Sequence, residues 1–382
     1  MHHFEFVFSK SPHLDHLDPL RTLLFKAFNL ISSSMDDDLE SSEGVVLVMG
    51  VTGAGKSYFV NQLKGYHAVQ EGHSMNSGRL RLRCRKHHRQ LIKAETTECQ
   101  AVQIILDDSE KRSISVVDTP GFDDTERSHG EVLSKITEFL AVQHALGIPL
   151  RGILYLHKIT DNKMTGSALT YLRLFRSLCG DDALKNVILV TTMWNKMRDE
   201  DTGEALRRED ELLDNFWKPM VNKGSYVAQF DGTSDTAFAL IWQLAGKEGV
   251  VLKIQKEIVD QDMDVLHTAA GQNLLEMLEM DKVEYEVRLK KLESLMEKEE
   301  ERGNRAGVKA LRRQKADMEA ILKRIERSID KMKVRPGSKI KERIKAIINP
   351  VADYLTGPGA VTTLVAVLNI TLFVVRVVVG GP

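Results

Sequence analysis

Between Gly44 and about Gly246, short apolar runs alternate with longer stretches whose apolar residues recur three and four positions apart. The runs Val45–Met49, Ala101–Leu106, Ser113–Val117, Gly152–His157, Asn186–Thr191 and Tyr226–Phe230 are predicted as strands. Lys56–Leu63, Gly130–Leu146, Ser167–Leu178, Thr202–Trp217 and Asp235–Leu244 are predicted as helices. Strands separated by helix-length segments imply βαβ units. The expected fold class is α/β, with a mainly parallel sheet covered by helices on both faces.

From about Leu274 the pattern changes to charged stretches with heptad spacing. Leu275, Leu278, Tyr285, Leu289, Leu292 and Met296 fit one frame, interrupted by Lys282. Val308, Leu311, Met318, Leu322, Ile325, Ile329 and Met332 fit another, interrupted by Lys315. The frames break at Gly303–Gly307. An antiparallel hairpin or a coiled coil with a partner chain satisfies this pattern better than one solvated helix on the α/β domain. The chain therefore divides into an extension and acidic linker (1–43), an α/β domain (44–246), a helical or coiled-coil region (247–335) and a basic segment with an apolar tail (336–382).

The tail is uncharged from Ala360 to Val375, near the lower limit of the roughly 20 residues that span a bilayer. Two readings stay open. As a membrane anchor, Val361–Val379 inserts and Lys339, Lys341, Arg343 and Lys345 stay on the cytosolic side. Otherwise the segment is a valine-rich element buried against the α/β domain.

Composition narrows the setting. Fifty-three basic against 54 acidic residues give a net charge of −1, which makes nucleic acid an unlikely partner. Three cysteines form no paired framework and no signal peptide opens the chain, so a cytoplasmic location is expected, with the tail as an optional anchor to an intracellular membrane.

The candidate chemistry starts at Gly50-Val51-Thr52-Gly53-Ala54-Gly55-Lys56-Ser57, which matches G-x-x-x-x-G-K-[ST] between a predicted strand and a predicted helix. The glycines let backbone N–H groups converge on phosphate oxygens, and the helix N-terminus adds positive potential. Lys56 is expected to reach the β- and γ-phosphates, Ser57 to coordinate Mg²⁺, and Tyr58 to follow in the nucleotide cradle. Asp118-Thr-Pro-Gly121 follows the strand Ser113–Val117. Asp118 can hold Mg²⁺ through water, and the Gly121 N–H can contact the γ-phosphate. Together these motifs specify a nucleoside-triphosphate switch.

GVTGAGKS, VVDTPGFDDT, His157–Ala168 (HKITDNKMTGSA), Leu178-Cys-Gly180 and Val187–Trp194 (VILVTTMW) resemble the immune-associated (AIG-type), septin-related P-loop G proteins, in particular the fungal-type branch with a trailing coiled coil. The resemblance covers roughly 44–246. It implies a G domain, GTP/GDP and Mg²⁺ as ligands, slow GTPase activity, and assembly of copies through the G domain or the coiled coil.

Three departures qualify what the resemblance implies. Thr192-Met193-Trp194-Asn195 places an amide, Asn195, where such proteins tend to have the base-reading Asp. Read one frame on, Asn195-Lys196-Met197-Arg198 puts Arg in the acidic place. An amide offers one acceptor, so discrimination against ATP should weaken. Asp199 is a candidate substitute, and Thr233 and Ser234 fit the last base-contacting loop.

In switch I, spacing to Cys99 nominates Thr96 as the threonine that meets Mg²⁺ in the GTP state and assists catalysis with Lys56; Thr97 is the alternative. Residues 78–94 are an apparent insertion with seven Lys or Arg and no acid. They read as a basic loop for anionic lipid or RNA, or as a retained intron. Deletion restores GHSMNS-ETTECQAV, which favours the intron, and would leave the chain distinctly acidic. Finally, Phe122 stands where a water-orienting Gln occurs in Ras-like enzymes, and no general base is nominated.

Overall fold

The computed structural model describes residues 41–70, 99–107, 112–122, 127–338 and 340. Thr96, the insertion 78–94, the extension 1–40 and the apolar tail lie outside the described residues.

Six strands, β1 (Ser41–Gly50), β2 (Gln100–Asp107), β3 (Arg112–Asp118), β4 (Leu150–Lys158), β5 (Val187–Thr192) and β6 (Tyr226–Gln229), form one sheet in the order β2-β3-β1-β4-β5-β6. Only β2 runs antiparallel, paired to β3. The other neighbours are parallel; α1 (Lys56–Gln70), α2 (His129–Ala145), α3 (Gly166–Cys179) and α4 (Thr202–Leu212) lie between successive strands, and α5 (Ser234–Ala245) follows β6. Central β1 buries every side chain from Val46 to Met49, as a parallel strand covered on both faces must. The carboxyl ends of β1, β3, β4 and β5 share one edge of the sheet, where ligands of open α/β folds bind. This is the architecture of a P-loop G domain.

One predicted helix, Thr202–Trp217, is not continuous. The α-helix ends at Leu212, a π turn covers Leu213–Trp217, and a short helix follows over Lys218–Val221. Pro219 has no N–H to give to the Asn215 carbonyl, so the regular ladder cannot run through it. Trp217, in the widened turn, is completely buried.

The heptad region folds as an antiparallel hairpin of α6 (Ala269–Glu301) and α7 (Arg305–Met332). The turn passes through Gly303 at φ 67°, and the Asn304 side chain accepts from Gly307 N at 3.0 Å. Leu278, Leu292, Val308, Ile325 and Met332 of the two frames are buried. Leu274, rather than the expected Leu275, is buried at the base, because the first turns of α6 also pack on α3. Both interrupting lysines pair across the hairpin: Lys282 with Glu326 at 3.4 Å and Lys315 with Glu293 at 2.7 Å. Exposed pairs of this kind fix register more than they add stability.

The hairpin docks on the G domain through α2. Gly130 N donates to Ser328 Oγ at 2.7 Å, and Ser134 Oγ donates to the Lys331 carbonyl at 2.8 Å. Arg324 donates to the Arg127 carbonyl. Gly130 lies in the first turn of α2, whose N–H groups have no partner within the helix. Ser128 caps one of them, Glu131 N, and Ser328 of α7 caps another.

Candidate functional site

The glycine-rich loop folds as its motif requires. Gly53 at φ 78° and Gly55 at φ 93° adopt left-handed backbone, which turns the chain from β1 into α1. Lys56 is 6% exposed and folds back over the loop, donating to the carbonyls of Gly50 at 3.0 Å and Val51 at 2.9 Å. Ser57 Oγ donates to Asp118 Oδ2 at 2.6 Å, so the first turn of α1 and the end of β3 present two hard oxygen donors side by side. Two such hard oxygens would suit Mg²⁺. Ser57 and Asp118 would hold the ion, which neutralises charge on the phosphates when bound.

Thr119 Oγ1 donates to the Val48 carbonyl at 2.9 Å and ties the segment after β3 back to β1. Gly121 then lies directly on the phosphate loop: a Cβ there would stand 2.2 Å from Thr52 Oγ1 and 2.7 Å from Thr52 N. Phe122 is buried and stacks on Tyr171 with ring centroids 6.1 Å apart. Tyr171 Oη meets His129 Nε2 at 2.8 Å at the start of α2. A continuous row of contacts therefore runs from Thr52 to the helix that carries the hairpin.

The base side of the cleft brings the remaining nominated residues together. Thr192 Oγ1 donates to the Ala54 carbonyl at 2.8 Å, joining the end of β5 to the phosphate loop. Met193, in left-handed conformation, turns the chain into Trp194–Lys196. Trp194 Nε1 donates to Thr191 Oγ1 at 3.0 Å, and Asn195 is exposed beside Gly232. Tyr58 Oη donates to the Gly232 carbonyl at 3.1 Å. The Thr233 side chain caps α5 and donates to Asp231 at 2.7 Å, while Ser234 Oγ donates to Gln62 at 3.4 Å. Burial opposes ionisation of Asp231, but hydrogen bonds from Thr236 and Thr233 hold its carboxyl below the usual range.

Sequence motifs left some neighbours of the loop without a role. A cavity of about 400 Å³ is lined by Val51 and Thr52 on one side and by Lys158, Asp161, Lys163 and Thr165 on the other. Its second wall belongs to His157–Ala168, so the signal was present as a motif. A cavity of about 600 Å³ lies away from this edge, before the start of β5, among Arg173, Arg176, Lys253 and Lys256. Arg176 and Lys256 are paired there with Asp181 and Asp182. The phosphate-loop cleft is the better candidate, because its motif residues converge on it.

His157 is 5% exposed at the end of β4, with Trp217 edge-on to its ring. Burial lowers its pKa below the ordinary 6.5; Asp161 opposes the shift and Lys158 reinforces it. In the window below 6.5 the unfolded chain binds more protons than the folded one, so stability rises with pH up to that point and then levels. Urea midpoints between about pH 5 and 8 should show this slope, and His157→Gln should flatten it.

No model of a known protein family matches the chain, and no curated protein matches it in sequence. Among solved structures it is similar to Toc33 from Arabidopsis thaliana in complex with GDP and Mg²⁺, at 17% identity over 61% of this chain and 95% of that one, with a TM-score of 0.38. Toc33 in complex with Mg²⁺ and GMPPNP gives 16% identity over the same shares and a TM-score of 0.39. The elongation factor SelB from Methanococcus maripaludis, in complex with the GTP analogue GPPNHP, gives 12% identity over 56% of this chain and 36% of that one, with a TM-score of 0.33.

Proposed function

We propose that this chain binds GTP and GDP with Mg²⁺, hydrolyses GTP slowly, and uses the difference between the two states as a conformational switch or assembly module. Within P-loop G domains we place it in the AIG-type, septin-like branch. The observation that carries the switch reading is the packing of Gly121 on Thr52, continued through Phe122, Tyr171 and His129 to the α2–α7 contact. A γ-phosphate bonded to the Gly121 N–H shifts the segment that abuts Thr52, and α7 is bonded to the helix that follows.

Lys56, the loop N–H groups and Mg²⁺ on Ser57 supply charge stabilisation of the transferring phosphoryl group, with Thr96 as the proposed further ligand. Slow turnover follows from Phe122, which offers attacking water no polar atom and is buried besides. A second copy supplying the missing polar group accounts for assembly. The chain acts in the cytoplasm, with the tail as its membrane anchor. Alkaline extraction should leave the full-length protein in the membrane fraction; release into the supernatant removes the anchor from this reading.

Phe122 also favours a second reading, a membrane-associated scaffold that binds nucleotide without turnover. Phosphate release separates the two. Turnover of GTP above that of Lys56→Ala supports the GTPase, and none supports the scaffold. Competition of GTP against ATP tests the guanine assignment, and a preference for ATP removes it.

A further inference from the structure

Before the start of β5, at the edge of the sheet away from the phosphate loop, the cavity of about 600 Å³ is walled by the last turns of α3, residues 251–256 and the first turns of α6. Four cations line it, Arg173 and Arg176 from α3 and Lys253 and Lys256 from the connection before α6, against two carboxylates, Asp181 and Asp182. Among the described residues Arg173 has no hydrogen-bond or ion-pair partner. The walls meet closely: a Cβ on Gly180, at φ 73°, would stand 2.7 Å from Lys253 Cβ. Asn273 Nδ2 of α6 donates to Ser177 Oγ of α3 at 2.7 Å, which leaves the Ser177 hydroxyl its own proton to donate.

The ion pairs around the cavity leave its cations available. Asp181 is shared between Arg176 at 3.5 Å and Lys223 at 3.3 Å, so it keeps a partner when Arg176 turns away. Asp182, 89% exposed, lies 3.5 Å from Lys256, and Lys253 stands 4.0 Å from Glu257. Pairs this long and exposed contribute little and exchange readily for a denser anion. One carboxylate cannot reach cations on two walls. Several phosphate groups on one small scaffold can, with the guanidinium forks taking phosphate oxygens in pairs. The volume is that of a small-molecule site. Cys179 on its wall is buried, which pushes the thiol pKa up, so the cavity offers no thiolate for chemistry and reads as a binding site.

We propose that this cavity binds a small polyanion carrying several phosphate groups, as an inositol polyphosphate does, either free or as the headgroup of a lipid. The site is separate from the phosphate loop and does not depend on the nucleotide-binding reading. A bound polyanion bridges α3 of the G domain and the connection that leads into α6, so occupancy fastens the base of the hairpin. It should therefore raise the unfolding temperature.

Calorimetric titration of the full chain with inositol hexakisphosphate, at about 0.15 M salt to screen loose contacts, tests this. Binding is expected to weaken about tenfold in the double variant Arg173→Ala/Lys253→Ala and to stay unchanged in Lys56→Ala. Both side chains are exposed, and alanine keeps the Lys253 Cβ that packs on Gly180. An unchanged unfolding temperature without ligand checks that the variant folds, and Arg173→Glu alone should also weaken binding. Flotation with phosphatidylcholine vesicles, with and without phosphatidylinositol bisphosphate, separates the two sources. Capture by the phosphoinositide vesicles that the double variant loses identifies a headgroup, and titration without such capture identifies a free polyanion. Absence of binding in both assays overturns the proposal. So does binding that the double variant leaves intact or that Lys56→Ala abolishes, because the anion then sits on other basic segments or in the phosphate loop.

Discussion

Lys56→Ala is expected to abolish nucleotide binding while the protein remains folded. The Lys56 ammonium lies almost buried between the Gly50 and Val51 carbonyls, within the loop that would surround the β- and γ-phosphates. On binding, these two carbonyl bonds give way to bonds with phosphate oxygens, each charge-assisted on both sides. Two such bonds at about 1.5–3 kcal/mol each correspond to roughly 10²- to 10⁴-fold in affinity. Lys56→Arg should not restore it, because a planar guanidinium does not fit where a compact point charge does. Titration with Mg·GDP and Mg·GTP reads the loss, and a thermal melt reads the fold. Tight binding by Lys56→Ala would contradict the assignment of this loop.

Gly130→Ala should loosen the hairpin. On helix propensity alone, the change gains about 1 kcal/mol in α2. The structure predicts the opposite sign, since a Cβ at 130 would stand 1.9 Å from the Ser328 carbonyl oxygen and 2.9 Å from its Oγ. Those are backbone and cap atoms of α7, with little room to give, and overpacking of this kind costs about 1–3 kcal/mol. The net expectation is a loss of up to about 2 kcal/mol where propensity promises a gain. Ser328→Ala should act in the same direction by leaving Gly130 N without its cap, at about 1–3 kcal/mol. Equilibrium unfolding measures both, and limited proteolysis within α7 reports where the loosening occurs. A stabilised Gly130→Ala protein would mean that α7 does not sit on α2 in solution.

How far the sequence could be read follows from the range of the interactions involved. The phosphate loop was legible because its residues are contiguous and their conformation is set locally by glycine. The hairpin frames were legible because periodicity is local, and the lysines that interrupt them turned out to meet glutamates on the facing helix. The burial of Trp217 was not, because one proline changes the ladder on which helical periodicity depends. Ser328 capping α2 left no signal either, since nothing near Gly130 announces a partner 198 residues away. The base-reading site was half legible. Asn195 could be placed by motif, but the bonds that engage Asp231 and Glu209 depend on how the loop and helix side chains pack. Thr96 lies outside the described residues, so its part in the site rests on its spacing to Cys99.

The phosphate state of the cleft should be felt at the α2–α7 contact. Amide hydrogen exchange of the full chain, loaded with Mg·GDP and then with Mg·GMPPNP, measures this directly. Exchange over Ser128–Ser134 and over Ile325–Met332 should differ between the two states, with Gly130 N, whose acceptor is Ser328 Oγ, among the amides that change. Equal exchange across both segments in two demonstrably loaded states would contradict the switch.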